Sequence, residues 1–306
     1  MRWFGWLRKR PKAGADLLEV LALQEGTPVA LIGGRMRTVG LPYALPRDTE
    51  DLNRLDFQHF LLRYALKGLY APPLHNPQSI LDVGTGTGRW ALDMAQVFPH
   101  AKVVGLDVNP PPVDEAAGRG YDIRPANYTF VPGNLLEGLP FADKSFDFVH
   151  MRLLFTAIPA NRWVTVMREV ARILKPGGWV ESVETTGIHN GGPHTDLIMT
   201  WVTQLAAGRG VDRMNATRVN TFMQEAGLRN IGASVVNIPA SSWGGRIGEM
   251  GALDYLTACK GYGGVVVNAG LATQQQFDET LEGARTDLGS PHIHGYAPFY
   301  VVIGQK

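Results

Sequence analysis

The 306-residue chain is 45% hydrophobic and 19% charged, a balance that suits one large α/β domain with additions. A formal net charge of +1 argues against a strongly basic nucleic-acid binder, and a lone cysteine, Cys259, excludes an internal disulfide or a cysteine-rich metal site. No apolar run approaches the roughly 18 residues that span a bilayer, and no continuous apolar stretch follows the charged N-terminus, so a cytoplasmic location without a stable membrane anchor is expected.

Met1 to Lys12 mixes Trp3, Phe4 and Trp6 with Arg2, Arg8, Lys9, Arg10 and Lys12, and reads as an arm too short to anchor stably on lipid by itself. A contact with a second copy of the chain is an alternative role for it, and a homo-oligomer is an open expectation. The spacing predicts a helix over Asp16–Gln24, a hairpin with strands Val29–Ile32 and Arg35–Val39 around Gly33-Gly34, and a helix capped by Asp48. From Ser79 onward strands and helices alternate. Strands are expected at 80–83, 102–107, 128–131, 145–151 and 179–184, and helices at 89–98 and 162–174, with a weak helix after the prolines that follow Asn109. Beyond Glu184, helices are expected at 197–207, 216–226, 248–259 and 273–288, and strands at 231–238 and 299–303. Such alternation implies a mostly parallel sheet covered on both faces. Residues 1–77 read as arm, hairpin and cap helices, and 78–306 as the ligand-binding domain with a helical insertion at about 240–290 forming a substrate lid.

The chain is organised around Ile80 to Trp90, where a buried strand runs into Gly84-Thr85-Gly86-Thr87-Gly88 and then a helix. Glycines in such a turn let the backbone approach a ligand and adopt positive φ. The dinucleotide fingerprint needs its third glycine one position later, where Arg89 stands, so a nicotinamide-dependent oxidoreductase is the disfavoured alternative. Ligands of parallel sheets bind beyond the carboxyl ends of the strands. Asp107 ends the second strand at the offset where a carboxylate reaches ribose hydroxyls. Asn134 follows the third strand, where an amide or its backbone meets an adenine edge, and Asp82 precedes the glycine turn.

Ile80–Gly88, Val104–Asp107, Leu139–Asp147 and Leu174–Gly178, in that order, resemble the motifs of class I S-adenosylmethionine-dependent methyltransferases. Leu45–Asp48, Arg54–His59 and His150–Arg152 are similar to a subgroup that includes velvet-associated, methyltransferase-like regulators of secondary metabolism. The resemblance implies a Rossmann-like seven-stranded sheet of order 3-2-1-4-5-7-6 with its last strand antiparallel. It implies S-adenosylmethionine as cofactor and S-adenosylhomocysteine as product. By the same resemblance, Asp82, Gly84, Thr85, Gly86, Gly88, Asp107, Val108, Asn134, Leu135, Met151, Arg152 and His59 are the expected cofactor contacts.

An activated methyl group needs mainly an aligned nucleophile and a dry site, and a hydroxyl nucleophile gains from a general base. His189, His150 and Glu184 are the expected candidates, each with an ordinary structural alternative. Tyr43, Trp243 and Tyr255 are expected to touch a small, fairly apolar substrate. His292 and His294 have no companion carboxylates or cysteines, so no metal is expected. The leading expectation is O- or C-methylation of a small metabolite, with a regulator acting through protein partners as the alternative.

Overall fold

The structure, a computed structural model, describes residues 20–21, 29–112 and 124–306. The N-terminal arm, most of the helix expected at 16–24 and the weak helix expected after the proline turn lie outside the described residues. Val20–Leu21 departs from the expected helix. It forms strand β1, antiparallel to β2 (Val29–Ile32), which pairs in turn with β3 (Arg35–Thr38). The Gly33-Gly34 hairpin turn is as expected, and it has a packing role as well. A Cβ on Gly33 would lie 2.4 Å from the Cα of Gly264, so glycine on both sides lets this small sheet sit directly on a distant helix backbone.

Helix α1 (Thr49–Ala65) starts at Asp48, whose side chain accepts from the Asp51 N–H, with Glu50 and Asp51 in the first turn and Arg63 in the last. Its inward side is polar as well as apolar: Asp51, Arg54 and His59 are buried beside Leu61 and Leu62. Strand β4 (Ser79–Val83) leads to α2 (Arg89–Val97) and β5 (Lys102–Asp107), then β6 (Tyr128–Pro132), β7 (Phe146–Arg152), α3 (Trp163–Ile173) and β8 (Leu174–Thr185). Strand β8 begins at Leu174 rather than Trp179, because the Pro176-Gly177-Gly178 turn is absorbed as an irregularity in its pairing with β7. Helix α4 (Pro193–Gly208), a 3-10 turn running into α5 (Val219–Glu225), and β9 (Arg229–Pro239) follow. Helices α6 (Gly245–Asn268) and α7 (Gln274–Gly289) precede the last strand, β10 (Tyr296–Gln305).

The sheet order is β6-β5-β4-β7-β8-β10-β9, with β10 antiparallel to both neighbours. Numbered by the seven strands of this sheet, that is 3-2-1-4-5-7-6. Strand alternation divides the core. Leu81, Val83, Val149 and Met151 pack under α3 and α5, whereas Ile80 and Phe148 meet Trp90 and Met94 of α2 on the other face. A separate cluster joins α4, α6 and α7 through Ile198, Trp201, Leu256, Val266, Phe277 and Leu288. The helical layer over the strand ends therefore includes α4 as well as the segment between β9 and β10.

Candidate functional site

The carboxyl ends of the central strands, α1, the segment 41–47, α4 and α6 enclose a cavity of about 370 Å³. That volume lies within the range of small-molecule sites, about 300–1,000 Å³.

The glycine turn forms one wall. Gly84, Gly86 and Gly88 have φ of 71°, 56° and 78°, a region that L side chains rarely adopt. The N–H groups of Gly84 and Thr85 both donate to the Leu106 carbonyl, which ties the turn to β5. A Cβ on Gly84 would meet Leu154 Cδ2 at 2.5 Å, whereas a Cβ on Gly86 would find nothing closer than Leu55 Cδ1 at 3.9 Å. The turn thus presents bare backbone to the cavity at Gly86, with α1 passing over it. Gly88 starts α2 and does not line the cavity.

Asp107 lies at the end of β5 with each carboxylate oxygen taking one backbone donor: Gly86 N–H at 3.0 Å and Asn109 N–H at 3.1 Å. Burial pushes its pKa up, and the two N–H donors and Arg47 offset part of that. Val108 and Leu135 line the same end. Asn134 does too, but its side chain is closed on itself. It accepts from the Leu136 N–H and donates to Glu137, and its backbone carbonyl accepts from the Glu137 N–H.

Asp82, on the α2 face of β4, accepts from Thr85 Oγ1 at 2.7 Å and pairs with His150 Nδ1 at 2.8 Å. The His150 ring stacks on Trp90 with centroids 3.8 Å apart. Burial lowers the His150 pKa, and Asp82 partly restores it. These contacts hold the His150 ring between Asp82 and Trp90, and His150 lines the cavity. Arg152, two residues on and on the same face, meets His59 Nδ1 at 3.3 Å. The other nitrogen of His59 lies 3.1 Å from Asp93, which Arg63 also binds. That pattern suits a neutral imidazole donating from Nε2, and burial lowers its pKa accordingly. His59 stands behind Arg152 and does not line the cavity.

Besides Gly88 and His59, four expected site residues face elsewhere. Met151 lies one position from Arg152, and strand alternation turns it into the α3 core. Glu184 is fully buried. It accepts from the Phe155 N–H and from Ser182, bracing the loop after β7 instead of lining the cavity. Burial raises its pKa to about 8. His189 bridges the backbone of Tyr296, stacks on its ring, contacts Thr186 Oγ1 at 2.8 Å and lies outside the cavity wall. Trp243 is 43% exposed, donates to the Gly295 carbonyl and also lies outside the wall. Tyr43 and Tyr255 do line the cavity, as does Tyr262.

The residues that sequence reasoning passed over are Asp51, Arg54 and Asp254, which join α1 to α6 at the cavity wall. The available signal was the charged inward side of α1; its partner 200 positions away was not predictable from spacing.

Residues 80–178 match the family model described as a methyltransferase domain. The methyltransferase pytC of Aspergillus terreus is 30% identical over 285 residues, covering 86% of this chain and 83% of that one. The secondary metabolism regulator LAE1 of Cochliobolus heterostrophus is 28% identical over 295 residues, covering 86% and 90%. The methyltransferase str3 of Strobilurus tenacellus is 36% identical over 140 residues, a match that spans 45% of this chain and only 47% of that relative.

The sheet order, the glycine turn and this similarity agree: the chain belongs to the class I S-adenosylmethionine-dependent methyltransferases. Within that class its similarity lies with proteins of fungal secondary metabolism, and the cofactor of the class is S-adenosylmethionine. Among the described residues no group of His, Cys, Asp and Glu is arranged to hold a metal ion, and no helix is long and apolar enough to cross a membrane.

Proposed function

We propose that the chain methylates an oxygen or carbon atom of a small, fairly apolar, natural-product-like metabolite. The observation that carries this reading is a single cavity with two unlike sides. One side has the bare backbone of Gly86 beside the Asp107 carboxylate, Tyr255 and Tyr262 of α6 line the other, and Tyr43 of the cap stands near both Asp107 and Tyr262. S-adenosylmethionine fits the first side, because each Asp107 oxygen keeps a lone pair for a ribose hydroxyl after taking one backbone N–H. When bound, it supplies a methyl group already activated on sulfur.

In this reading Asp107 binds the ribose, Val108 and Leu135 pack on the adenine, and the backbone at Asn134 meets its edge. Asp82, held by Thr85 and His150, sets a negative charge beside the turn. Arg152, fixed by His59, lines the cavity on the same side. The aromatic side excludes water and holds the acceptor, catalysis by orientation more than by acid–base chemistry. The test is incubation of the protein and S-adenosylmethionine with a metabolite extract, followed by accurate mass. A metabolite heavier by one CH₂ together with S-adenosylhomocysteine is expected. Calorimetry showing binding of NAD but not of S-adenosylmethionine would overturn the reading.

The relatives named as secondary metabolism regulators favour a second reading, a methyltransferase-like regulator that works through protein partners. Cofactor binding without turnover of any metabolite, together with a stable protein complex, would select it.

A further inference from the structure

The cap and α6 set Tyr43, Tyr255 and Tyr262 around a buried charged cluster, and Arg47 and Arg213 also line the cavity near these rings. Arg54, on α1, is 5% exposed. Its Nε donates to Asp51 at 2.7 Å, and its Nη1 reaches Asp254 of α6 only at 3.4 Å. The remaining nitrogen, Nη2, is buried with no hydrogen-bond partner. Asp254 takes one good hydrogen bond, from Gln58 Nε2 at 2.8 Å on Oδ2, so its Oδ1 is weakly used. All four side chains line the cavity. Leu55, next to Arg54, lies 3.9 Å from the Cβ position of Gly86, so the cluster sits on the helix that crosses the glycine turn.

A buried guanidinium with one orphan N–H costs free energy until an oxygen reaches it, and a carboxylate oxygen with spare capacity accepts from a hydroxyl. We propose that Arg54 and Asp254 are the acceptor-recognition pair of this site, selecting an apolar molecule that carries a hydroxyl beside a carbonyl. The hydroxyl donates to Asp254 Oδ1, and the carbonyl oxygen accepts from the Arg54 guanidinium, which turns to bring its unpaired Nη2 to the cavity. Gln58 and Asp51 are positioning residues: one holds the carboxylate and the other the guanidinium. Two charged partners also make the pair discriminating, because an analogue lacking either group leaves a buried charge unsatisfied. The electrostatics agree with the geometry. Burial lowers the Arg54 pKa, but Asp254 and Asp51 together raise it further, and Arg54 offsets part of the upward push that burial exerts on Asp254.

This proposal rests on the methyltransferase reading, and the test separates the two. Protein saturated with S-adenosylhomocysteine is titrated by calorimetry with 2′-hydroxyacetophenone, 2′-methoxyacetophenone and 2-ethylphenol. The second probe lacks the donor and the third lacks the carbonyl. The hydroxy ketone is expected to bind about tenfold tighter than either, the scale of one hydrogen bond to a charged group. Asp254→Asn and Arg54→Lys are each expected to abolish that preference while leaving the affinity for S-adenosylhomocysteine intact. Equal affinity for the three probes in the wild-type protein overturns the recognition pair and leaves the methyltransferase reading standing. Retained preference in both variants also overturns it. Failure of the wild-type protein to bind S-adenosylhomocysteine overturns the reading beneath it.

Discussion

Asp107→Ala is expected to weaken cofactor binding and loosen the glycine turn at once, because the carboxylate serves both. Its oxygens accept the Gly86 N–H at 3.0 Å and the Asn109 N–H at 3.1 Å. Losing both leaves two backbone donors without their partner. They border the cavity, where water can partly replace it, so the unliganded protein should lose about 1–2 kcal/mol, the low end of the range for orphaned donors. The ribose hydroxyls lose a charged acceptor as well, which costs about 1–3 kcal/mol of binding, or roughly 5- to 150-fold in Kd. Asp107→Asn should not rescue, since its amide would point an N–H at either Gly86 or Asn109. Calorimetry with S-adenosylhomocysteine and melting of the unliganded protein read the two effects separately. A Kd within about twofold of wild type would refute the ribose assignment, since even the weaker estimate exceeds it. An unchanged melting midpoint would refute the structural role.

Gly86→Ala and Gly84→Ala should differ in kind. The first adds a methyl group in open space and should fold with modest strain from its φ of 56° while losing cofactor affinity. The second meets Leu154 at 2.5 Å, so it should lower the melting midpoint first; equal melting of the two variants would contradict this. Glu184, raised to about 8 by burial, binds its proton more tightly folded than unfolded. Its contribution to stability is therefore complete below its ordinary value of 4.5 and is lost as pH rises through about 8. Glu184→Gln should remove that decline, and a melting difference from wild type that is the same at pH 5 and pH 9 would count against it. His189→Ala, altering a ring outside the cavity wall, should leave turnover near wild type, and a loss of tenfold or more at unchanged cofactor affinity would restore His189 as a base.

Local chemistry made much of this protein legible in its sequence. The Asp48 cap, the Gly33-Gly34 turn, the apolar spacing of α3 and the buried run of β4 each depend on neighbours within a few residues, and each formed as expected. Asp107 was legible for the same reason, since a strand end at a set distance from a glycine turn is a local fact. Period-two alternation also separates Arg152 from Met151, but a motif read as a block hides it.

Position along the chain could not say which way the polar residues at and beyond the end of β8 face. Glu184 and His189 were proposed from their place near a strand end, yet one braces a loop and the other packs on Tyr296 of β10, a strand more than a hundred residues later. The class and the strand order were legible through the family resemblance that the ordered motifs carry, and the glycine turn with Asp107 was legible through short-range spacing. The pairing of α1 with α6 at the cavity wall needed the tertiary structure. The Arg54–Asp254 contact closes a loop of 200 residues, and nothing local to either residue records the partner it finds.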